Sequence, residues 1–493
     1  MKTSEGIGVT NLRCKYPGED APLLFQGVSL SIKPGEKVLL LGPSGCGKST
    51  LLQILSGIVP DIVELPLKAD DIRTPSRWGY VFQDPDTQFC MPYVDEEIAF
   101  VLENLQIPRG EMPALIQHYL EMVGLHLADT HTQIAQLSQG MKQRLAIASV
   151  LALEPEVLFL DEPTALLDEE GTKLVWDTIR KISSDKTLVI VEHKIQGILT
   201  LIDRLIVIAP DGSLLADGKP QEVFEDYKKH LMDYGIWYPG VWEDAEAPVD
   251  AFSVSLSSLP IMTFQDFAGM RGGKIKTFVD NLSVHPGDWI TVVGANGAGK
   301  SSLLLAIMRL IPTQGACWIE GVKGYKVEQL AERVAFVFQN PEFQFVTHSV
   351  EDELAYSLPG IEQASAGQRA AIEELLSLYN LQALRNKHPF QLSMGQKRRL
   401  SVASAMVREP SILLLDEPTF GLDAHGTMSM LEQLAQLQAK GTVIIMVTHD
   451  PEIVSRYATR VWQVEAGRVS EREPKPFSTE AEHAAEGDSL VCK

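Results

Sequence analysis

Residues 41–50 read LGPSGCGKST and residues 293–302 read VGANGAGKSS. This repetition constrains the fold more than any other feature, because it extends far beyond the loops themselves. Gly42 and Gly294 are 252 residues apart; Gln83 and Gln339, 256; Ser138 and Ser393, 255; Asp161 and Asp416, 255; His193 and His449, 256. An offset that drifts by four residues over five landmarks requires duplication of a whole domain with small loop insertions. A period of that size is far too long for a solenoid repeat, so two complete domains in tandem are expected. A chain of 493 residues is also too long for one core.

The expected boundaries are 1–230 for the first domain, 231–258 for a linker, 259–472 for the second domain and 473–493 for a polar, disordered tail. Pro239, Gly240 and Pro248 mark the linker, and its Trp237, Tyr238 and Trp242 are expected to pack its ends onto the domains. Within each half, short apolar runs alternate with helical stretches. KVLLLG, VLFLDE and TLVIVEH in the first half match WITVVG, ILLLDE and TVIIMVTH in the second. Continuous apolar runs of this length suit strands buried on both faces, and helices between them imply an α/β fold with a parallel sheet.

Composition narrows the class. The chain is 45% apolar, which is globular, and its formal charge is −22 from 65 acidic and 43 basic residues. That balance argues against a broad nucleic-acid surface, which needs clustered Lys and Arg. No basic-then-apolar leader and no membrane-length apolar run is visible. The five cysteines, at 14, 46, 90, 317 and 492, lack metal-ligand spacing and read as reduced thiols in the cytosol.

Both loops satisfy G-x-x-x-x-G-K-[ST], each behind an apolar strand and ahead of an apolar helix. Glycines let backbone N–H groups turn inward around a phosphate, and the helix N-terminus adds positive potential. The candidate ATP-binding residues are Gly42, Ser44, Gly45, Gly47, Lys48, Ser49 and Thr50 in the first loop. In the second they are Gly294, Asn296, Gly297, Gly299, Lys300, Ser301 and Ser302. The lysines would reach the β- and γ-phosphates and the serines 49 and 301 would ligate Mg²⁺. About 120 residues further on, an apolar strand ends in Asp161-Glu162, and its copy ends in Asp416-Glu417. Each aspartate suits Mg²⁺ and each glutamate is placed to polarise an attacking water.

The segments LSQGMKQRLAIASVLALEPEVLFLDEPTALLD and LSMGQKRRLSVASAMVREPSILLLDEPTFGLD resemble the signature-to-D-loop region of ATP-binding cassette (ABC) ATPases. The resemblance covers both halves almost end to end. It implies two ABC nucleotide-binding domains, each a P-loop α/β core with a β-subdomain and a helical signature subdomain. It casts Gln83 and Gln339 as Q-loop residues that bind ATP and Mg²⁺, and Asp168 and Asp423 as D-loop aspartates. His193 and His449 become switch histidines that act in catalysis with Glu162 and Glu417. It further implies that ATP lies between the phosphate loop of one half and the signature of the other. Lys48, Asp161, Glu162 and His193 would then work with Ser393 and Gly395, and Lys300, Asp416, Glu417 and His449 with Ser138 and Gly140. Tyr16 occupies the adenine-stacking position; its counterpart is Ala268, beside Phe267. Departures from the family pattern put equal turnover in doubt: Gln139 and Met394 stand in the signatures, and Glu192 stands where a threonine is commoner.

YVFQDPDTQF and FVFQNPEFQF, followed by YVDEEIAF and SVEDELAY, resemble ATPase subunits of energy-coupling factor (ECF) importers. The fused layout is most similar to the thiamine/hydroxymethylpyrimidine group. That resemblance implies ATP-driven vitamin import at the cytoplasmic face of the membrane. It also implies an ECF-type transmembrane coupling subunit and a substrate-binding membrane subunit as partners, peripheral membrane association through them, and no nucleic acid. Asp95, Glu96, Glu97, Glu351, Asp352 and Glu353 are expected to receive arginines of a membrane subunit. The alternatives are cobalt, nickel or another vitamin as cargo, or a soluble twin-cassette ATPase acting on ribosomes or in DNA repair.

Overall fold

A computed structural model describes residues 6–18, 22–165, 167, 169–193, 195–245, 259–356, 358 and 366–473. The proposed tail from 474, linker residues 246–258 and the D-loop Asp168 lie outside the described residues. Two compact units divide the chain. One runs to Val241 and takes in Gly421–Thr427; the other comprises Trp242–Phe420 and the chain from Met428.

The first unit is built on a six-stranded sheet in the order Leu214–Gly218, Arg204–Ile208, Lys37–Leu41, Thr187–Val191, Val157–Asp161, Trp78–Val81. All neighbours pair in parallel except the outermost hairpin, Leu214–Gly218 against Arg204–Ile208. Every residue of VLFLD and TLVIV is buried, as a sheet covered on both faces demands. The alternation of strand side chains divides the core. Leu39, Leu41, Leu158 and Leu160 join one cluster, while Val38, Leu40, Val157 and Phe159 join the other. A second, antiparallel sheet pairs Ile7–Lys15 with Leu23–Ile32. Helices Val94–Asn104, Met112–Met122 and Gln139–Leu151 form the helical part. From the linker, Ile236 and Tyr238 complete the first unit's core.

The second unit repeats the parallel order: Arg460–Glu465, Trp289–Val293, Val443–Val447, Ile412–Asp416, Val334–Val337. Here the antiparallel strands are continuous with the parallel core, joined where Phe278 and Val279 pair with Arg468 and Val469. Trp242 is buried, with the Arg456 guanidinium 5.8 Å from its ring centroid. The fold is thus α/β with two domains of one plan. Among the described residues no helix is long and apolar enough to cross a membrane.

In both units the phosphate loop follows the central strand, the Asp-Glu pair ends the strand two places away, and the histidine follows the strand between them. Parallel strands end at one edge, so three distant stretches of sequence meet there.

Candidate functional site

The phosphate loops are shaped by glycine where a side chain would not fit. Gly47 (φ 95°) and Gly299 (φ 113°) cap helices Lys48–Ser56 and Lys300–Ile307. A Cβ on Gly299 would lie 2.3 Å from the carbonyl oxygen of Lys276, so any larger residue would have to break the turn. Ser44, Gly45, Asn296 and Gly297 are exposed at the loop tips, while Lys48 and Lys300 are buried at 6% exposure. Lys48 Nζ donates to the carbonyl oxygens of Gly42 (2.8 Å) and Pro43 (3.0 Å). Lys300 Nζ donates to those of Gly294 (2.6 Å) and Ala295 (3.0 Å).

Ser49 Oγ donates to Asp161 Oδ1 at 2.9 Å, and Tyr80 donates to Asp161 Oδ2 at 3.0 Å. Ser301 bonds Asp416 in the same way. Burial pushes both aspartates up to about 6; the neighbouring glutamate adds to this, and the bonds from Ser49 or Ser301 oppose it. No cluster of three or more His, Cys, Asp or Glu able to hold a metal exists among the described residues. A serine hydroxyl paired with one carboxylate does fit Mg²⁺, which keeps waters and takes substrate phosphates rather than a full protein cage.

Glu162 and Glu417 share an unusual backbone, with φ of 47° and 50°. A left-handed glutamate costs on the order of 1–3 kcal/mol, and such strain clusters at functional positions. It is held by the next strand: Glu162 N donates to Val191 O (2.9 Å) and Glu417 N to Val447 O (3.1 Å). His193 Nε2 lies 3.1 Å from Glu162 Oε1, and His449 Nε2 lies 3.1 Å from Glu417 Oε1. The second contact is close without the alignment of a hydrogen bond. Burial would raise Glu162, but His193 and Lys48 outweigh it and hold the carboxyl below its ordinary range. Gln83 Nε2 donates to Glu162 Oε2 at 2.8 Å, so the Q-loop side chain rests on the glutamate rather than on Asp161.

Ser138 and Ser393 sit at the N-caps of Gln139–Leu151 and Met394–Met406, accepting from Met141 N (3.3 Å) and Gln396 N (3.4 Å). Gly140 and Gly395 lie in the first turns. Tyr16 is exposed, its hydroxyl 2.9 Å from Thr50 Oγ1. Phe267 is buried at 3%, with its ring 5.4 Å from Phe264, so it belongs to the core and offers no stacking face. Cys46 is buried in its loop, and burial pushes its thiol up, the reverse of what a reactive thiolate needs.

Sequence reasoning passed over several supports. Gln88 Nε2 donates to Ala146 O (3.0 Å), and Gln344 Nε2 donates to Ser401 O (2.8 Å) and Ser404 Oγ (2.7 Å). Lys142 pairs with Asp86, and Lys397 with Glu342. These contacts join each Q-loop to its signature helix. The second glutamine and the acid of the shared Q-[DN]-P-[DE]-x-Q-F motif were the available signal.

Two copies of a phosphate cradle facing a strand-end Asp-Glu pair make this a twin P-loop nucleoside triphosphatase. The model of the ABC transporter family matches residues 25–165 and 279–420, more than half of the chain. The chain therefore belongs to the ABC transporter family and is an ATP-binding ATPase with two cassettes. A Bacillus subtilis relative named "Putative HMP/thiamine import ATP-binding protein YkoD" is 36% identical, covering 93% of this chain and 89% of its own. A Methanosarcina acetivorans relative named "Putative ABC transporter ATP-binding protein" is 32% identical, covering 95% of this chain and 85% of its own. Two solved chains share the fold at a TM-score of 0.64. One comes from the complex of archaeal ribosomal stalk protein aP1 and archaeal ribosome recycling factor aABCE1, with 21% identity and coverage of 95% and 90%. The other is RNase-L Inhibitor, with 20% identity and coverage of 94% and 90%.

These likenesses overturn the partner expectation. The expected ECF-type membrane subunits are not what these neighbours carry: the solved chains sharing the fold include one from a complex with a ribosomal protein. The acids meant for a membrane subunit give the physical reason, since five of the six are already engaged. Asp95 faces His131 Nδ1 at 3.1 Å, and Glu351 pairs with Arg385 at 2.8 Å. Glu97 accepts from Cys90 N and Met91 N, Glu353 accepts from Val346 N and Thr347 N, and Asp352 accepts from Ser349. They serve the first turns of their helices and the loops before them.

Proposed function

We propose that the chain hydrolyses Mg-ATP at two sites, with Lys48 and Lys300 on the phosphates. Ser49, Asp161 and Gln83, and Ser301, Asp416 and Gln339, hold the Mg²⁺, which when bound offsets phosphate charge. Glu162 and Glu417 take the proton of the attacking water, and His193 and His449 orient those carboxylates and sense the γ-phosphate. The observation that carries the reading is the Glu–His contact, repeated at 3.1 Å on a left-handed glutamate in both units. A carboxylate placed in this way is a general base in position. The register of the sequence motifs supports the further reading that each site is completed by the other half's signature serine and glycine.

For the object of that work, the fold shared with a ribosome recycling factor and RNase-L Inhibitor supports a soluble twin-cassette ATPase acting on ribosomes. A second reading, import of hydroxymethylpyrimidine or thiamine, is supported by the name of the 36% identical relative. Two measurements separate them: ATP-dependent co-sedimentation with ribosomes, and uptake of labelled thiamine with and without the gene. Ribosome binding without an uptake defect fits the first reading; an uptake defect without ribosome binding fits the second.

A pH dependence follows from the buried aspartates. A raised carboxyl contributes stability at acid pH that is lost as pH rises through about 6, and a bound cation compensates that loss. Protons compete with Mg²⁺ below that point, so apparent Mg²⁺ affinity should fall about tenfold per pH unit below pH 6. Mg²⁺ titration of ATP hydrolysis from pH 5 to 7.5 measures this; a flat profile removes the aspartates from the ligand set. Tyr16→Ala should weaken ATP about fivefold or more at the first loop, the usual effect of losing one stacked ring. Titration with a fluorescent ATP analogue reads it, and unchanged affinity removes Tyr16 from the adenine site.

A further inference from the structure

The two units differ at one buried position beneath the Q-loop. Arg398, on helix Met394–Met406, is 1% exposed. Its Nη1 donates to Phe338 O at 2.8 Å and its Nη2 to Gln339 O at 2.6 Å. It also lies within electrostatic reach of Asp416 and Glu417. One repeat earlier stands Gln143, buried at 2% and, among the described residues, with no hydrogen-bond partner on its Nε2.

A second position changes with it. Tyr80, which donates to Asp161 in the first unit, is replaced at the matching position by Phe336, which has no donor. The strand-end aspartate therefore meets a neutral hydroxyl in one unit and a buried cation in the other. A guanidinium is tolerated there because it is both hydrogen-bonded and close to opposite charge. Its planar fork aims two N–H groups in fixed directions at two neighbouring carbonyls, a geometry that the single nitrogen of an ammonium does not supply.

We propose that Arg398 is a positioning residue for the second ATP site: it ties the backbone of Phe338 and Gln339 to the signature helix beside Asp416. In the first unit that work is divided. Tyr80 steadies Asp161, and the Gln83 side chain docks on Glu162. Beyond the Gln88 and Gln344 contacts and the lysine–acid pairs that both units share, the two Q-loops thus differ in one anchor, through backbone in the second unit and through a side chain in the first. Arg398 acts through Gln339 and Asp416 and touches no nucleotide. The inference rests on the assignment of Gln339, Asp416 and Glu417 to the ATP site.

The test uses the full chain carrying Glu162→Gln, so that turnover reports the second site. Adding Arg398→Gln should lower kcat about tenfold and raise the Mg²⁺ concentration for half-maximal rate several-fold, with ATP affinity within about twofold. Arg398→Lys keeps the charge but loses the planar fork that reaches both carbonyls in fixed geometry, and should stay at least about threefold below the parent. Adding Phe336→Tyr to Arg398→Gln copies the first unit's pair and should recover most of the lost rate. Thermal melts and ATP binding show that each variant is folded. Unchanged kcat in Arg398→Gln, full activity in Arg398→Lys, or no recovery on adding Phe336→Tyr overturns the proposal. Near-normal turnover in a chain carrying both Glu162→Gln and Glu417→Gln instead overturns the site assignment beneath it.

Discussion

Glu162→Gln combined with Glu417→Gln should give a chain that binds ATP normally and turns it over about two to four orders of magnitude more slowly, the usual cost of a missing general base. Glutamine keeps the size of the side chain and can occupy the same left-handed backbone, so the strand end should survive. It cannot accept the water's proton. His193, 3.1 Å from Glu162, would then face a neutral amide. A modest loss of stability should accompany the change in the first unit. His193 and Lys48 hold Glu162 below its ordinary range, so its charge contributes stability above the unfolded pKa that is lost as pH falls through the folded one. At neutral pH the variant lacks that contribution; below the folded pKa it should match the parent. Phosphate release and fluorescent-nucleotide titration measure the two halves of the prediction. Comparing the single variants then shows whether the units share turnover equally.

The duplication, the parallel α/β core and the phosphate loops were legible because each rests on local pattern: a constant offset, apolar runs and a glycine spacing. The meeting of loop, Asp-Glu pair and histidine was legible for a related reason, since parallel strands must end at one edge. What stayed hidden depends on tertiary placement. The left-handed φ of Glu162 and Glu417 is imposed by Val191 and Val447 on a neighbouring strand, and no residue type nearby announces it. Tyr80 with Gln143, and Phe336 with Arg398, are about 60 residues apart and gain meaning only where the signature helix crosses the Q-loop. The burial of Phe267 was not legible, because aromatic identity says nothing about which face of a strand is buried. The acidic triplets misled for a different reason: their local partners, His131 and Arg385, come from loops some 35 residues downstream.

Lys48→Met combined with Lys300→Met should weaken ATP binding about 100-fold or more while leaving a folded chain. Each ammonium bridges two carbonyls at the mouth of its loop, so those oxygens show the acceptor positions from which it would reach phosphate oxygens. Charge-assisted hydrogen bonds contribute roughly 1.5–3 kcal/mol each, and losing two to a phosphate accounts for a factor of about 100 or more. Methionine fills the buried path of the lysine stem, so the cost should fall on binding more than on packing. A second effect separates this cause from simple loop damage. The Lys48 charge lowers both Asp161 and Glu162, so its removal should push Asp161 further above about 6. The Mg²⁺ requirement of whatever binding remains should therefore move to more alkaline pH. Calorimetric titration of ATP at several pH values reads both effects. ATP affinity within a few-fold of the parent would remove the lysines from the phosphate site. Weak binding without the alkaline shift would mean that the loop had collapsed rather than lost a charge.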